Sequence, residues 1–271
     1  MTPNDFEYIS DLLKSRSGLV LTSDKSYLLE SRLMPVARKH GMKGLEELIQ
    51  AVRGDNGGAL TVDVTEAMTT NESFFFRDTK PFDLFRDKIL PPLIESRAAK
   101  KSFHIFCAAA SSGQEPYSLA IILKEAAAQL QGWKVEIIGT DISTEILDKA
   151  RAGLYSQFEV QRGLPIQLLV KYFTQKEDQW QISQELRDMI TYKEYNFLED
   201  LKPLGHFDVV FCRNVLIYFD RDTKGMVLDN IADLMSEDGT LFLGGAETVL
   251  GISERFKPVP DQRGVYGVVP A

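Results

Sequence analysis

Apolar residues recur at helical spacing through the first seventy positions: Phe6, Ile9, Leu12 and Leu13, then Tyr27, Leu28 and Leu33, then Leu45, Leu48 and Ile49. A period near 3.6 predicts amphipathic helices, and no strand-like run interrupts them. Gly41 and Gly44 punctuate the second and third patterns, and GDNGG at 54–58 is a loop. LTVDVTEAMTT then leads into TTNESFFFR at 69–77. The expectation is an all-α N-terminal domain over 1–70, followed by a linker over 71–77 whose phenylalanines bury between two domains.

From residue 78 the pattern alternates. A helix over Phe82–Arg97 precedes FHIFCAAA, one over Tyr117–Gln129 precedes VEIIGTDI, and another covers Glu145–Arg151. YKEYNF, FDVVFCRNVLIYF, a helix at 223–235, GTLFLGG and RGVYGVV follow. Short buried strands alternating with helices predict an α/β domain over 78–271 with a mostly parallel sheet covered on both faces. Residues 157–195 fit that rhythm least. KYF, QWQIS and MITYK read there as short paired strands around a turn at Gln175–Gln179, forming either a small antiparallel insert or a surface hairpin with no partner.

Composition narrows the function. A chain of 271 residues, 44% hydrophobic and 26% charged, has the make-up of a folded globular protein of one large domain with an appendage, or of two domains. A net charge of -8 opposes nucleic acid and anionic membrane surfaces. No stretch is long and apolar enough to span a bilayer, and MTPNDFEYIS lacks the basic-then-apolar pattern of a secretory signal, so a cytoplasmic protein is expected. Cys107 and Cys212 sit inside apolar runs with no CxxC and no clustered histidine, which supports neither a disulfide frame nor a metal site. Both are expected as small core residues near a pocket.

In open parallel sheets ligands bind beyond the carboxyl ends of the strands, so the residues after each apolar run carry the candidate chemistry. After FHIFC comes AAASSGQEPYS, a small-residue turn that lets a ligand approach the backbone. It lacks GxGxxG, and Glu115 stands where a helix start would otherwise suit a phosphate. Glu115 either complements the helix dipole or meets a cationic group. Asp141, in GTDIS and 28 residues beyond Gly113, holds the position that accepts hydrogen bonds from ribose hydroxyls. Asn196 and Phe197 offer an amide and an aromatic wall to an adenine, or else are a turn Asn and a core Phe. Arg213 and Asn214 interrupt an apolar run, and burying an unpaired arginine is costly, so a polar site is expected there. A nucleoside with a cationic group describes S-adenosyl-L-methionine better than a dinucleotide.

TTNESFFFR, AAASSGQEPYS, the acid of GTDIS and FCRNVLIYFD, in this order and spacing, resemble the CheR family of chemotaxis receptor methyltransferases, across nearly the whole chain. The resemblance implies a Rossmann-like class I S-adenosylmethionine-dependent methyltransferase domain with a small antiparallel β insert, preceded by an all-α N-terminal domain. It implies methyl transfer to glutamate side chains on the cytoplasmic helical bundle of methyl-accepting chemotaxis proteins. A monomer that binds no nucleic acid and does not insert in the membrane is expected. Carried over by motif, Asn71, Ser73 and Arg77 border the cofactor, with Arg77 on the methionyl carboxylate. Glu115 faces the amino group and Asp141 the ribose. Asn196 and Phe197 border the adenine, and Arg213 and Asn214 lie near the sulfonium. Tyr218 either positions the substrate carboxylate or is a core aromatic. The usual Thr of the first motif is Ser73 here, which keeps the hydroxyl.

Between positions 14 and 43, Lys14, Arg16, Lys25, Arg32, Arg38, Lys39 and Lys43 stand against Asp24 and Glu30, a local +5 (7 minus 2) in a chain of -8. Lys25, Arg32, Lys39 and Lys43, spaced 7, 7 and 4, are expected along one helix face, kinked at Pro35. That face either docks an acidic receptor helix or is simply solvated. Family members that tether to a pentapeptide at the receptor C-terminus carry a glycine-containing loop in the insert. The corresponding TQKEDQWQIS is short and has no glycine, so no tether is expected. Two rivals remain: a methyltransferase with another protein or a small-molecule acceptor, for which the helical domain would need an enclosed pocket, and a ligand-sensing module without turnover.

Overall fold

A computed structural model describes residues 2–270. The chain divides into two compact units. The smaller takes residues up to Thr70 with Asn196–Leu198 and Tyr218–Lys224; the larger takes Asn71–Tyr195, Glu199–Ile217 and the chain from Gly225 onward.

The smaller unit contains helices α1 (Pro3–Ser17), α2 (Tyr27–Lys39), α3 (Leu45–Gly54) and α4 (Ala59–Met68). Of the positions that predicted the first three, Ile9, Leu13, Leu33, Leu48 and Ile49 are essentially inaccessible in its core, joined by Leu29, whereas Tyr27 is 66% exposed. A capping box starts α1: the Asp5 N–H donates to Thr2 Oγ1 at 3.3 Å and the Thr2 N–H to Asp5 Oδ2 at 3.0 Å. The chain runs helically through Pro35. The fourth helix is an addition to the sequence expectation. Its β-branched Thr61, Val62, Val64 and Thr65 hide it from a propensity argument, and burial of Leu60, Thr61, Val64, Thr65 and Met68 along one face fixes it instead.

The larger unit is built on β1 (Ser102–Ala108), β2 (Lys134–Asp141), β6 (Ile190–Glu194), β7 (Phe207–Cys212), β8 (Met235–Leu243), β9 (Phe256–Pro258) and β10 (Val265–Val268), in the order β6-β2-β1-β7-β8-β10-β9. The first five neighbours are parallel, and β10 and β9 are antiparallel. Helices α7 (Gln114–Glu125) and α8 (Thr144–Ala152) follow β1 and β2, and α12 (Arg221–Asp233) follows β7. The single helix expected over 82–97 is α5 (Lys80–Leu84) and α6 (Leu90–Ser96) joined by a π turn at Phe85–Ile89. Pro91 and Pro92 have no N–H to return to the preceding turn, which accounts for the break.

The insert is a three-stranded antiparallel sheet of β3 (Leu154–Ser156), β4 (Phe173–Lys176) and β5 (Gln179–Ile182), in the order β3-β5-β4, with α9 (Gln157–Gln161) and α10 (Ile166–Tyr172) between β3 and β4. Two boundaries differ from expectation. Leu154–Ser156 is the third strand of the insert, whereas MITYK belongs to β6, which pairs with β2 in the main sheet after the short α11 (Gln184–Arg187). Alternation alone cannot assign a short strand to one of two sheets.

The aromatic cluster of TTNESFFFR also lies elsewhere than expected. Phe75 is fully buried in the larger unit's own core, edge-on to Tyr155 at 5.0 Å and to Phe173 at 5.5 Å, rather than buried between domains. Burying such a ring contributes about 1.5–3 kcal/mol. The 71–77 segment is thereby pinned to both the insert and the main core. No helix among the described residues is long and apolar enough to cross a membrane.

Candidate cofactor site at the strand ends

The register of the sheet brings four chain segments to one edge. Ala108, the last residue of β1, pairs with Thr140 of β2 and Cys212 of β7, and Cys212 pairs with Leu243 of β8. The next residues in each segment are therefore neighbours beyond the sheet: Ala109, Asp141, Arg213 and Gly244.

The turn after β1 is strained and tightly held. Ala109 and Ser111 have φ of 58° and 50°, and Gly113, at the start of α7, has φ of 91°. A side chain at Gly113 would put its Cβ 2.6 Å from the Tyr192 hydroxyl, so only glycine fits there. The Ala110 N–H donates to the Thr140 carbonyl at 2.7 Å, and the buried Tyr155 hydroxyl donates to the Ser112 carbonyl at 2.7 Å. Asp141, 6% exposed, accepts from the Ser111 N–H at 2.9 Å and the Ser143 N–H at 3.2 Å. Its carboxylate thus shapes the turn between β1 and α7. The Ser111 hydroxyl donates to the Asn71 carbonyl at 3.1 Å, which ties TTNESFFFR to the same turn. The Asn71 side chain is exposed and Ser73 is half-buried.

Arg213 is the electrostatic centre of this edge. Its side chain is 1% exposed. Nη1 donates to Glu115 Oε2 at 2.7 Å, and Nη2 donates to Asp78 Oδ2 at 2.7 Å and to the Arg77 carbonyl at 2.9 Å. The buried Nε has no hydrogen-bond partner among the described residues, and the guanidinium lies 5.5 Å from the Phe82 ring centre. Arg213 is thus a buried ion-pair hub at this strand end. Burial pushes the Glu115 carboxyl above its usual range, and the Arg213 charge and hydrogen bond offset only part of that. The Arg213 bond uses one of Glu115's acceptor positions and leaves others for an ammonium.

Arg77 donates from Nη1 to the Glu72 carbonyl at 2.7 Å, with its guanidinium 5.5 Å from the Phe74 ring. Asn214 takes a left-handed φ of 60°, and its N–H donates to Glu247 Oε2 at 2.8 Å. Cys107 and Cys212 are buried and free, and burial pushes both thiols well up, which suits core packing rather than reactivity.

Three expected residues belong to the smaller unit. Asn196 spends its amide locally, donating from Nδ2 to the Arg16 carbonyl at 2.6 Å and accepting the Leu198 N–H at 3.1 Å, and Phe197 is buried. The Tyr218 carbonyl accepts the Val20 N–H at 2.9 Å, and its ring is half-buried. The basic stripe is broken. Lys25 ends a 3-10 turn before α2, and Lys43 follows α2, so these cations do not share one helix. Arg32 is spent on the end of α4, with Nη1 donating to the Met68 and Thr69 carbonyls at 2.6 and 2.9 Å. Lys39 pairs with Asp63 at 3.0 Å, whereas Lys25, Arg38 and Lys43 are exposed. Asp78 and Glu247 are the site residues that the motifs missed. Glu247 lies just past GTLFLGG, so following the strand-end rule to β8 would have found it.

This donor set fits S-adenosylmethionine: carboxylates at Glu115 and Asp141 for an ammonium and for hydroxyls, and a helix start closed to phosphate by Glu115.

Residues 71–265 match the family described as CheR methyltransferase, SAM binding domain, and residues 4–69 match CheR methyltransferase, all-alpha domain. The chain is 38% identical over 266 residues to chemotaxis protein methyltransferase 1 of Pseudomonas aeruginosa, covering 96% of each. It is 35% identical over 265 residues to chemotaxis protein methyltransferase Cher2 of Pseudomonas putida, again 96% of each. It is 37% identical over 270 residues to chemotaxis protein methyltransferase 1 of Vibrio cholerae, covering 98% of this chain and 97% of the other. With both domains matched and relatives 35–38% identical over nearly the whole chain, the chain belongs to the CheR methyltransferase family and takes S-adenosylmethionine as its cofactor.

Proposed function

We propose that this enzyme methylates glutamate side chains on the cytoplasmic helical bundle of methyl-accepting chemotaxis proteins, forming glutamyl methyl esters for sensory adaptation, and that it acts without a receptor tether. The observation that carries this reading is the extent of the match, over both domains, to relatives named chemotaxis protein methyltransferases.

S-adenosylmethionine supplies an electrophilic methyl group, and the sulfur keeps the electron pair as S-adenosylhomocysteine departs. A glutamate, with an unperturbed pKa of about 4.3, attacks the methyl carbon already ionised, so no side chain has to remove a proton. The protein's work is alignment and exclusion of water. In this reading Arg77 binds the methionyl carboxylate, Glu115 the amino group and Asp141 the ribose. Asn71, Ser73 and Asn214 complete the wall, and Arg213 holds Glu115 in place. Asn196 and Phe197 remain proposed for the adenine, and Tyr218 for the substrate carboxylate. Exposed Lys25, Arg38 and Lys43 favour the encounter with acidic receptor helices. Arg32 and Lys39, bound to α4 and to Asp63, contribute to that field only as charges.

The test is transfer of labelled methyl groups from S-adenosylmethionine to receptor-rich membranes. Label on receptors that survives acid and is released by base supports the reading, and no methyl ester on any chemoreceptor overturns it.

A further inference from the structure

Glu247 concentrates more backbone donors than the fold of its own loop requires. Its Oε2 accepts the Gly244 N–H at 2.7 Å and the Asn214 N–H at 2.8 Å. Its Oε1 accepts the Val215 N–H at 3.0 Å and the Ile217 N–H at 3.3 Å. Three of the four donors belong to the segment after β7, and the carboxylate comes from the segment after β8.

A left-handed residue followed by right-handed ones turns successive N–H groups toward one point and makes an anion-binding concavity. Asn214 supplies the left-handed member, with φ of 60°. That conformation costs an asparagine some free energy and persists only where its surroundings hold it. The anion that fills this concavity is the protein's own Glu247 carboxylate. The two strand ends are fitted to it. A Cβ at Gly244 would lie 2.7 Å from Glu247 Oε2 and 2.8 Å from Asn214 Nδ2, so the glycine leaves the space that the clamp occupies.

The clamped segment carries Arg213, which holds Glu115, and Asn214, and it runs into the 3-10 turn Leu216–Tyr218. We propose that Glu247 is a positioning residue for methyl transfer: its carboxylate locks the backbone of Asn214–Ile217 and so sets the geometry of the Arg213–Asn214 wall of the cofactor site. The inference rests on the assignment of that wall to S-adenosylmethionine.

The test is Glu247→Gln, which keeps the shape but turns an NH2 toward one of the two pairs of donors. Expected are faster amide hydrogen exchange at Asn214, Val215 and Ile217, at least tenfold, with exchange at Val209 and Phe211 in β7 unchanged. Affinity for S-adenosylhomocysteine by calorimetry should fall. Receptor methylation should lose kcat by about 10²-fold, the effect of roughly 1 Å of misplacement, while the receptor KM is retained. Gly244→Ala displaces the carboxylate without removing its charge and should move the same readouts in the same direction. Added formate should partly restore kcat to Glu247→Ala by refilling the concavity. Protected amides with unchanged S-adenosylhomocysteine affinity in folded Glu247→Gln would overturn the proposal. So would failure of both Glu247→Gln and Gly244→Ala to fold, which would leave Glu247 a stabilising residue alone. Exchange and S-adenosylhomocysteine binding need no acceptor, so a wild-type enzyme that fails to methylate receptors would sink the acceptor assignment and leave this test standing.

Discussion

Arg213 Nη1 lies 2.7 Å from Glu115 Oε2, joining residues 98 positions apart in the chain and 1% and 13% exposed. Deleting one partner of such a pair strands the other charge in a poorly solvated site, which costs about 3–5 kcal/mol. Arg213→Met should therefore lower the urea midpoint markedly, and affinity for S-adenosylhomocysteine should fall as Glu115 loses its support. Glu115→Gln keeps a polar acceptor and removes the buried charge, so it should lose affinity with a smaller loss of stability. Equal stability losses in the two variants would contradict the hub assigned to Arg213.

The same pair predicts a pH dependence. The Glu115 carboxyl is raised above its ordinary value of 4.5 by burial. A raised carboxyl contributes stability that is fully present below the unfolded value and is lost as pH rises through the folded value. Binding a cationic amino group demands the opposite, ionised form. Affinity for S-adenosylhomocysteine should thus weaken on acidification from neutral pH toward 4.5, with proton release on binding inside that window. Glu115→Gln should show a lower and flatter profile. Parallel profiles for the two proteins would remove Glu115 from the amino-group site.

Much of this was legible in the sequence because strand ends announce themselves. Asp141 and Arg213 interrupt apolar runs, and the small residues at 108–113 mark a close backbone approach. The uses to which the residues are put were less legible. Arg32 counts as a positive charge in a stripe, but only the fold reveals that it reaches Met68 and Thr69 at the end of α4. Asn196 is committed to Arg16, 180 positions away. Long-range hydrogen bonds leave no periodic trace, so residue type and spacing locate the edge of a sheet better than they assign each side chain's partner.

Arg77 has a light structural role, with its guanidinium on the Glu72 carbonyl and beside the Phe74 ring. A charge-assisted hydrogen bond to the methionyl carboxylate is worth about 1.5–3 kcal/mol. Arg77→Ala should weaken S-adenosylmethionine binding by roughly 10- to 150-fold with little change in the thermal midpoint. Unchanged affinity in calorimetry would reduce the TTNESFFFR segment to a packing element.

The cations of the smaller unit should separate by role. Arg32→Ala should cost roughly 2 kcal/mol, because three acceptors around the end of α4 lose their donor. Arg38→Glu with Lys43→Glu should leave stability within about 0.5 kcal/mol, as surface changes do. It should lower kcat/KM for receptors about tenfold at low ionic strength, with the difference shrinking as salt is added. A salt-independent loss, or none, would mean that this face is only solvated.

The hairpin of the insert bears on the tether. Lys176 pairs with Gln179 across β4 and β5, so Glu177 and Asp178 alone make the turn, with Glu177 at a φ of 54°. Two-residue turns of this kind favour residues that tolerate a positive φ, and glycine most of all. Here an acidic pair closes it, so the hairpin has no longer loop at its tip. Calorimetry with a receptor C-terminal pentapeptide should accordingly detect no micromolar binding. A receptor lacking its last five residues should be methylated at the same kcat/KM as the intact one. Micromolar affinity, or a tenfold drop in kcat/KM on truncation, would show that the insert binds the tether without the glycine-containing loop.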